Sequence, residues 1–131
     1  MNTVNIEEFF ERADINYKKI EDNVYSAGFP GETHLYDVWI RLTDGWVFFF
    51  IGPLTREVKE EEKERISMEI ARLNYEITFT KLYLSPENDV VISIELPEEV
   101  FNFELFEEAL KNIVFYGEKV HNELKKKMEE W

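Results

Sequence analysis

The stretch that decides the fold is Arg72-Leu-Asn-Tyr-Glu-Ile-Thr-Phe-Thr-Lys-Leu-Tyr-Leu-Ser-Pro-Glu-Asn-Asp-Val-Val-Ile-Ser-Ile-Glu-Leu-Pro97. A helical pattern closes at its N-terminal end. One apolar run, Phe79 to Leu84, stops at the turn Pro86-Glu87-Asn88-Asp89. A second run, Val90 to Leu96, returns, and Pro97 ends the unit. Val90, Ile92, Ile94 and Leu96 alternate with Ser93 and Glu95, a period of two that buries one face of a strand. The segment is a β-hairpin held between two amphipathic helices.

Working outward, the downstream helix runs from about Phe103 to Met128. Its apolar stripe is Phe106, Leu110, Ile113, Gly117, Val120 and Leu124, continued by Met128 and Trp131. Gly117 on that stripe permits close approach of another backbone, and Lys125 to Lys127 suit the dipole at the helix C-terminus. The upstream helix runs from Glu57 to about Tyr75, with Ile66, Ile70, Leu73 and Ile77 at helical spacing. Glu60, Glu61, Glu62, Lys63 and Glu64 are expected to begin it in water, where acidic groups favour a first turn. Gly52-Pro53 separates this helix from what precedes it.

Between Tyr17 and Gly52 the apolar period is two. Val24 to Phe29 reads as a strand ended by Gly28, Pro30 and Gly31. Leu35 to Leu42 reads as a second, with Tyr36, Val38, Ile40 and Leu42 on one face. Asp37 and Arg41 share the other face with Trp39 between them, which gives the two charges a chance to pair. Asp44-Gly45 is a hairpin turn, and Trp46 to Ile51 is the returning strand. A short first helix covers Asn5 to Ala13, with capping-box spacing between Asn5 and Glu8 and a stripe of Ile6, Phe9, Phe10 and Ala13.

The order is α-β-β-β-α-β-β-α. It predicts one α+β domain over residues 1–131, an antiparallel sheet of about five strands with three helices. Here a resemblance enters. Leu73-Asn74-Tyr75, Phe79, Lys81, Leu84 and Val91 to Leu96-Pro97 are similar to the core of the YbjN-like proteins, bacterial sensory-transduction regulators. In that family an Asn closes the second helix, a hairpin with a polar turn follows, and Leu-Pro introduces the last helix. The element order resembles the type III secretion chaperone-like fold. The resemblance implies that fold, a tendency to dimerise and a role in binding other polypeptides. It implies no catalytic motif.

Composition narrows the function classes. The chain has 131 residues, 44% of them hydrophobic and 15% aromatic, enough to build a core without disulfides or metals. There is no cysteine, so thiol chemistry and cysteine-based zinc sites are excluded. The longest apolar run, Trp46 to Ile51, falls far short of the roughly 20 residues of a membrane span. The opening residues carry no basic region and no apolar signal core, so a cytoplasmic protein is expected. Acidic residues outnumber basic ones 28 to 15, a net charge of −13 that repels nucleic acid and anionic membranes.

A search for chemistry finds little. His34 precedes a strand and His121 lies late in the last helix; both are expected to be solvated or capping, and no metal site is expected. The Glu60–Glu64 cluster lacks the Asp/Asn/Gly pattern of a calcium loop. Ser26, Ser67, Ser85 and Ser93 have no nucleophile-elbow context. No glycine-rich phosphate loop precedes a helix. No catalytic residue and no cofactor are expected.

Aromatic density is the unusual feature. Alternation places Trp46, Phe48 and Phe50 on one face of their strand, and Val47, Phe49 and Ile51 on the other. One face must meet the helices. The opposite face, extended by Trp39 on the neighbouring strand, is either covered by another element or open to a partner. The expectation is a non-enzymatic interaction module, chaperone-like or regulatory, that binds polypeptide segments as a homodimer; Trp39, Trp46, Phe48 and Phe50 are the partner-binding residues, and the dimer interface includes one of them or an apolar residue of the Phe79–Leu84 run. The alternative is a small-molecule-binding protein or an enzyme working with carboxylates and tyrosines.

Overall fold

Residues 5–32 and 34–128 are described by this computed structural model; Trp131, at the end of the last apolar stripe, lies outside them. Chain order begins with helix α1 (Ile6–Arg12), capped by Asn5, whose side-chain oxygen accepts the Glu8 backbone N–H at 3.1 Å. Four strands follow: β1 (Lys18–Glu21), β2 (Val24–Pro30), β3 (Leu35–Thr43) and β4 (Trp46–Ile51). Helix α2 (Lys63–Glu76), strands β5 (Lys81–Leu84) and β6 (Val90–Pro97), and helix α3 (Phe103–Lys127) complete it.

Among the described residues the strands form one sheet in the order β1-β2-β3-β4-β6-β5, every pair antiparallel. The α+β class and the three helices are as expected, but the sheet has six strands rather than five. The additional strand is β1. Its sequence, Lys18-Lys19-Ile20-Glu21, is exposed at every position, so no buried face imposes an apolar alternation on it. Backbone pairing to β2 makes it a strand, with Asn23 at φ 65° turning the chain between them. Asp44 and Gly45, with φ of 49° and 83°, form the expected hairpin turn into β4.

Helices cover one face of the sheet. Val38, Ile40, Val47, Phe49, Ile92 and Ile94 point to that side and are buried to within 1%. Phe10 of α1 and Phe106 of α3 meet edge to face at 5.2 Å, and Phe106 lies 6.3 Å from Phe49 beneath them. The expected α3 stripe of Phe106, Leu110, Ile113, Gly117, Val120 and Leu124 is the buried face of that helix, and Met128 is also buried. Lys125 to Lys127 are exposed, as expected. Gly117 does admit a close neighbour, but it is the Ile51 side chain rather than a backbone: a Cβ there would sit 3.2 Å from Ile51 Cδ1.

Two local expectations are corrected. Helix α2 begins at Lys63, after a single 3₁₀ turn at Glu60–Glu62, and Glu62 is not in water but 5% exposed. Its carboxylate folds back to accept the Lys59 backbone N–H at 3.0 Å and an Arg56 N–H at 2.5 Å. That hydrogen bond from Arg56 is the main reason its pKa is held down to about 2. Phe79 does not start a strand. It has a φ of 68° and is 41% exposed, and β5 begins two residues later.

Candidate functional site: the open face of the sheet

The face of the sheet turned away from the helices has no cover among the described residues. Strand pleating puts Trp46, Phe48 and Phe50 there on β4, with exposure falling from Trp46, at 43%, to the half-buried Phe48 and Phe50. Register aligns them with their neighbours. Phe50 stands opposite Trp39 of β3 and Ser93 of β6, while Phe48 stands opposite Arg41 and Glu95. Trp46 is opposite Thr43 and Pro97, at the end of the row.

These side chains interact across the strands. The rings of Trp39 and Phe50 stack at 6.3 Å with an interplanar angle of 14°. Arg41 lies over Phe48, its guanidinium carbon 5.2 Å from the ring centroid. Lys81 of β5 pairs with Glu95 at 2.5 Å and sits 5.3 Å from the centre of the Tyr83 ring. The expected pairing of Asp37 with Arg41 does not occur. Four residues along a strand span roughly 13 Å, beyond the reach of an ion pair, and Arg41 turns to Phe48 instead.

Two grooves flank the stacked pair. One, of about 360 Å³, runs from Arg41, Phe48 and Phe50 across Ser93 to Tyr83 and the β5–β6 turn, where it meets Glu87 and Asp89. The other, of about 460 Å³, lies between Trp39 and the exposed edge strand β1, with Ile20 on its wall. Trp39 lines one groove and Phe50 the other, so their stack is the ridge between them. Trp46 lines neither.

Trp39, Phe48 and Phe50 are thus brought together as their alternation required, with Trp46 on the same face but apart. Sequence reading put Arg41 on the Trp39 face but missed its contact with Phe48, and it missed Tyr83, Ser93 and the turn carboxylates as parts of the same surface. The available signal was the second face of the β5–β6 hairpin. Its polar residues read as solvated because nothing local reveals that β6 pairs with β4.

Of the two histidines, His34 is exposed, as expected, while His121 requires correction. His121 is 3% exposed, with Nδ1 3.1 Å from the Leu54 carbonyl oxygen and its ring edge-on to His34 at 4.2 Å. Burial lowers its pKa, opposed by the Leu54 contact. It joins α3 to the segment after β4 and is a packing residue. Among the described residues, no group of three His, Asp or Glu side chains is placed to hold a metal ion, and no helix is long and apolar enough to cross a membrane.

One antiparallel sheet with helices on a single face and an aromatic opposite face defines the class: an α+β protein of secretion chaperone-like architecture. The chain belongs to the YbjN family, described as "Putative bacterial sensory transduction regulator", whose family model matches residues 2–113. No curated protein sequence matches it. Among solved structures it is similar to YbjN from E. coli, with a TM-score of 0.68 at 12% identity over 91% of this chain and 90% of that one. A chain of the heterodimeric ExoU–SpcU complex from the type III secretion system of Pseudomonas aeruginosa aligns with a TM-score of 0.62. Its identity is 12%, over 95% of this chain and 98% of that chain. A chain of the HopA1–SchA chaperone–effector complex aligns at 0.64 and 8% identity, over 92% of this chain and 99% of that one. At such identities the likeness establishes the fold.

Proposed function

We propose that this chain is a non-enzymatic, chaperone-like interaction module that holds a polypeptide segment on the open face of its sheet. The carrying observation is the one-sided helical cover. It leaves Trp39, Phe48 and Phe50 half-buried together on the open face, with Trp46 exposed at the end of the row. An extended or helical segment laid there would finish burying rings that the fold has already ordered, at little entropic cost to the protein. The complexes named for two of the similar structures, a chaperone with its effector and a secretion heterodimer, support a protein as the occupant. Glu62, whose pKa is strongly shifted, lies at the start of α2 and not in the grooves, which gives the enzymatic alternative no support.

The module works as a symmetric homodimer in this reading. A second apolar surface is available for pairing on the α2–β5 side, where Met68, Tyr75 and Phe79 are 70%, 92% and 41% exposed. Pairing there leaves the grooves free. With −13 on each chain, apolar contact must outweigh repulsion, so association strengthens with added salt.

The test has two arms. Light scattering at low micromolar concentration across a salt series should show a dimer that Phe79→Ser with Tyr75→Ser dissociates. Native-cytosol capture with mass spectrometry should recover polypeptides that Trp39→Ala with Phe48→Ala releases. A monomer at every salt concentration removes the dimer. Identical recoveries from the native chain and the aromatic variant remove the binding face.

A further inference from the structure

We propose that the hairpin end of the Phe48–Tyr83 groove selects segments that combine apolar side chains with Lys or Arg; this rests on the polypeptide-binding reading above. The floor is aromatic and aliphatic: Phe48, Phe50, Tyr83 and Val91. Its charged lining is Arg41 against Glu87, Asp89 and Glu95. Arg41 keeps its charge over the Phe48 ring but stands level with Glu95, six residues along the chain from Asp89 and so away from the hairpin end, and Glu95 is paired with Lys81. Glu87 and Asp89 therefore set the sign of the field at the hairpin end of the groove, and the chain's −13 reinforces it.

A second observation marks this groove as a place for a ligand. Ser93, at its centre between Phe50 and Lys81, is 2% exposed, and its hydroxyl has no hydrogen-bond partner. A buried hydroxyl without a partner is costly. It is oriented by the pleat to the open side, beside the space a polypeptide backbone would occupy, where a carbonyl or amide supplies the missing bond. Apolar side chains then rest on the rings, and a cationic one reaches the turn carboxylates. A second copy of this chain would bring another acidic surface against them, and an acidic segment would be repelled.

Short fluorescein-labelled peptides in which Leu alternates with Lys, with Ser or with Glu test this on the full-length chain by fluorescence anisotropy. The Lys peptide should bind about three- to tenfold tighter than the Ser peptide at low salt, with the Glu peptide weakest. The preference should shrink as salt is added. Glu87→Gln with Asp89→Asn should abolish it, while Glu107→Gln with Glu108→Gln, on the exposed side of α3, should leave it intact. Equal affinity for all three peptides overturns the selectivity and leaves the polypeptide-binding reading standing. A preference lost equally in both double variants also overturns it, since net charge alone then explains the ranking. A groove that takes no peptide because a second copy covers it, seen as a dimer dissociated by Phe48→Ala, overturns it as well. No peptide binding in a protein that is also monomeric overturns both readings.

Discussion

The side-chain carboxamide of Asn74 is bonded to both main-chain groups of Leu82: its Nδ2 donates to the Leu82 carbonyl at 2.8 Å, and its Oδ1 accepts the Leu82 N–H at 3.0 Å. Leu82 is on β5, the last strand at one edge of the sheet, and these are the groups that would otherwise face an incoming strand. A residue at the end of α2 thus does what a neighbouring strand would do. The same Nδ2 also lies 3.2 Å from the Ile70 carbonyl, so the plug is fastened to its own helix.

Asn74→Ala should free that edge. The expected loss of stability is about 1–2 kcal/mol, because the two hydrogen bonds to Leu82 and the one to Ile70 go but the site stays partly accessible to water. The sharper expectation is association: concentration-dependent oligomers, by light scattering, that are larger than the dimer proposed for the native chain. Asn74→Ala with unchanged stability and unchanged solution size would show that the edge is guarded by helix packing alone.

Glu62→Gln should cost about 2–3 kcal/mol at neutral pH, since it removes the charged partner of Arg56 and weakens the link to Lys59. The folded-state pKa is depressed, so this contribution is fully present above the unfolded value of 4.5. It is lost as pH falls toward about 2. Urea denaturation of both forms from pH 7 to pH 2 should show a gap that narrows below pH 4.5. A gap independent of pH would assign the cost to packing rather than charge.

Leu110→Ala should destabilise by roughly 2–5 kcal/mol. Leu110 is 4% exposed and lies on the α3 stripe between Phe106 and Ile113, which are fully buried. A loss below about 0.5 kcal/mol in chemical denaturation would make α3 peripheral to the core, against its buried face of eight residues.

Trp46→Ala should change stability by less than about 1 kcal/mol, because the ring is 43% exposed. Phe49→Ala, three residues along the same strand, should cost about 3–5 kcal/mol, since that ring is 0% exposed. Equal losses from the two would mean that the aromatic face is part of the core and not a surface. The comparison needs only equilibrium unfolding.

Much of this was legible because the buried elements carry a period. The α3 stripe from Phe106 to Leu124 and the Val90–Leu96 alternation each predict which side chains are inside: the whole stripe is, as are Val90, Ile92 and Ile94, with Leu96 partly buried at the end of the run. The segment Leu73-Asn74-Tyr75 through Pro97 also carried the family resemblance that the match over residues 2–113 bears out. Illegible parts lacked that imprint. Strand β1 has no buried side chain, so only its hydrogen bonds to β2 define it. Glu62 looks like any other member of an acidic run, and the guanidinium that buries it comes from outside the helix. His121 is a polar residue on an apolar stripe, and its partners, Leu54 and His34, are far away in sequence.

By itself the sequence determined the class, the helices, the strand faces and the exclusion of thiol chemistry, because periodicity and composition act locally along the chain. Only the tertiary structure decided that all the helices lie on one side, and hence that Trp39, Phe48 and Phe50 border open grooves. The reason is physical. Alternation reports that both faces of β4 are apolar, but which face is covered depends on where α1, α2 and α3 cross the sheet. That is settled by contacts between residues as distant as Phe10 and Phe106, which no local pattern encodes.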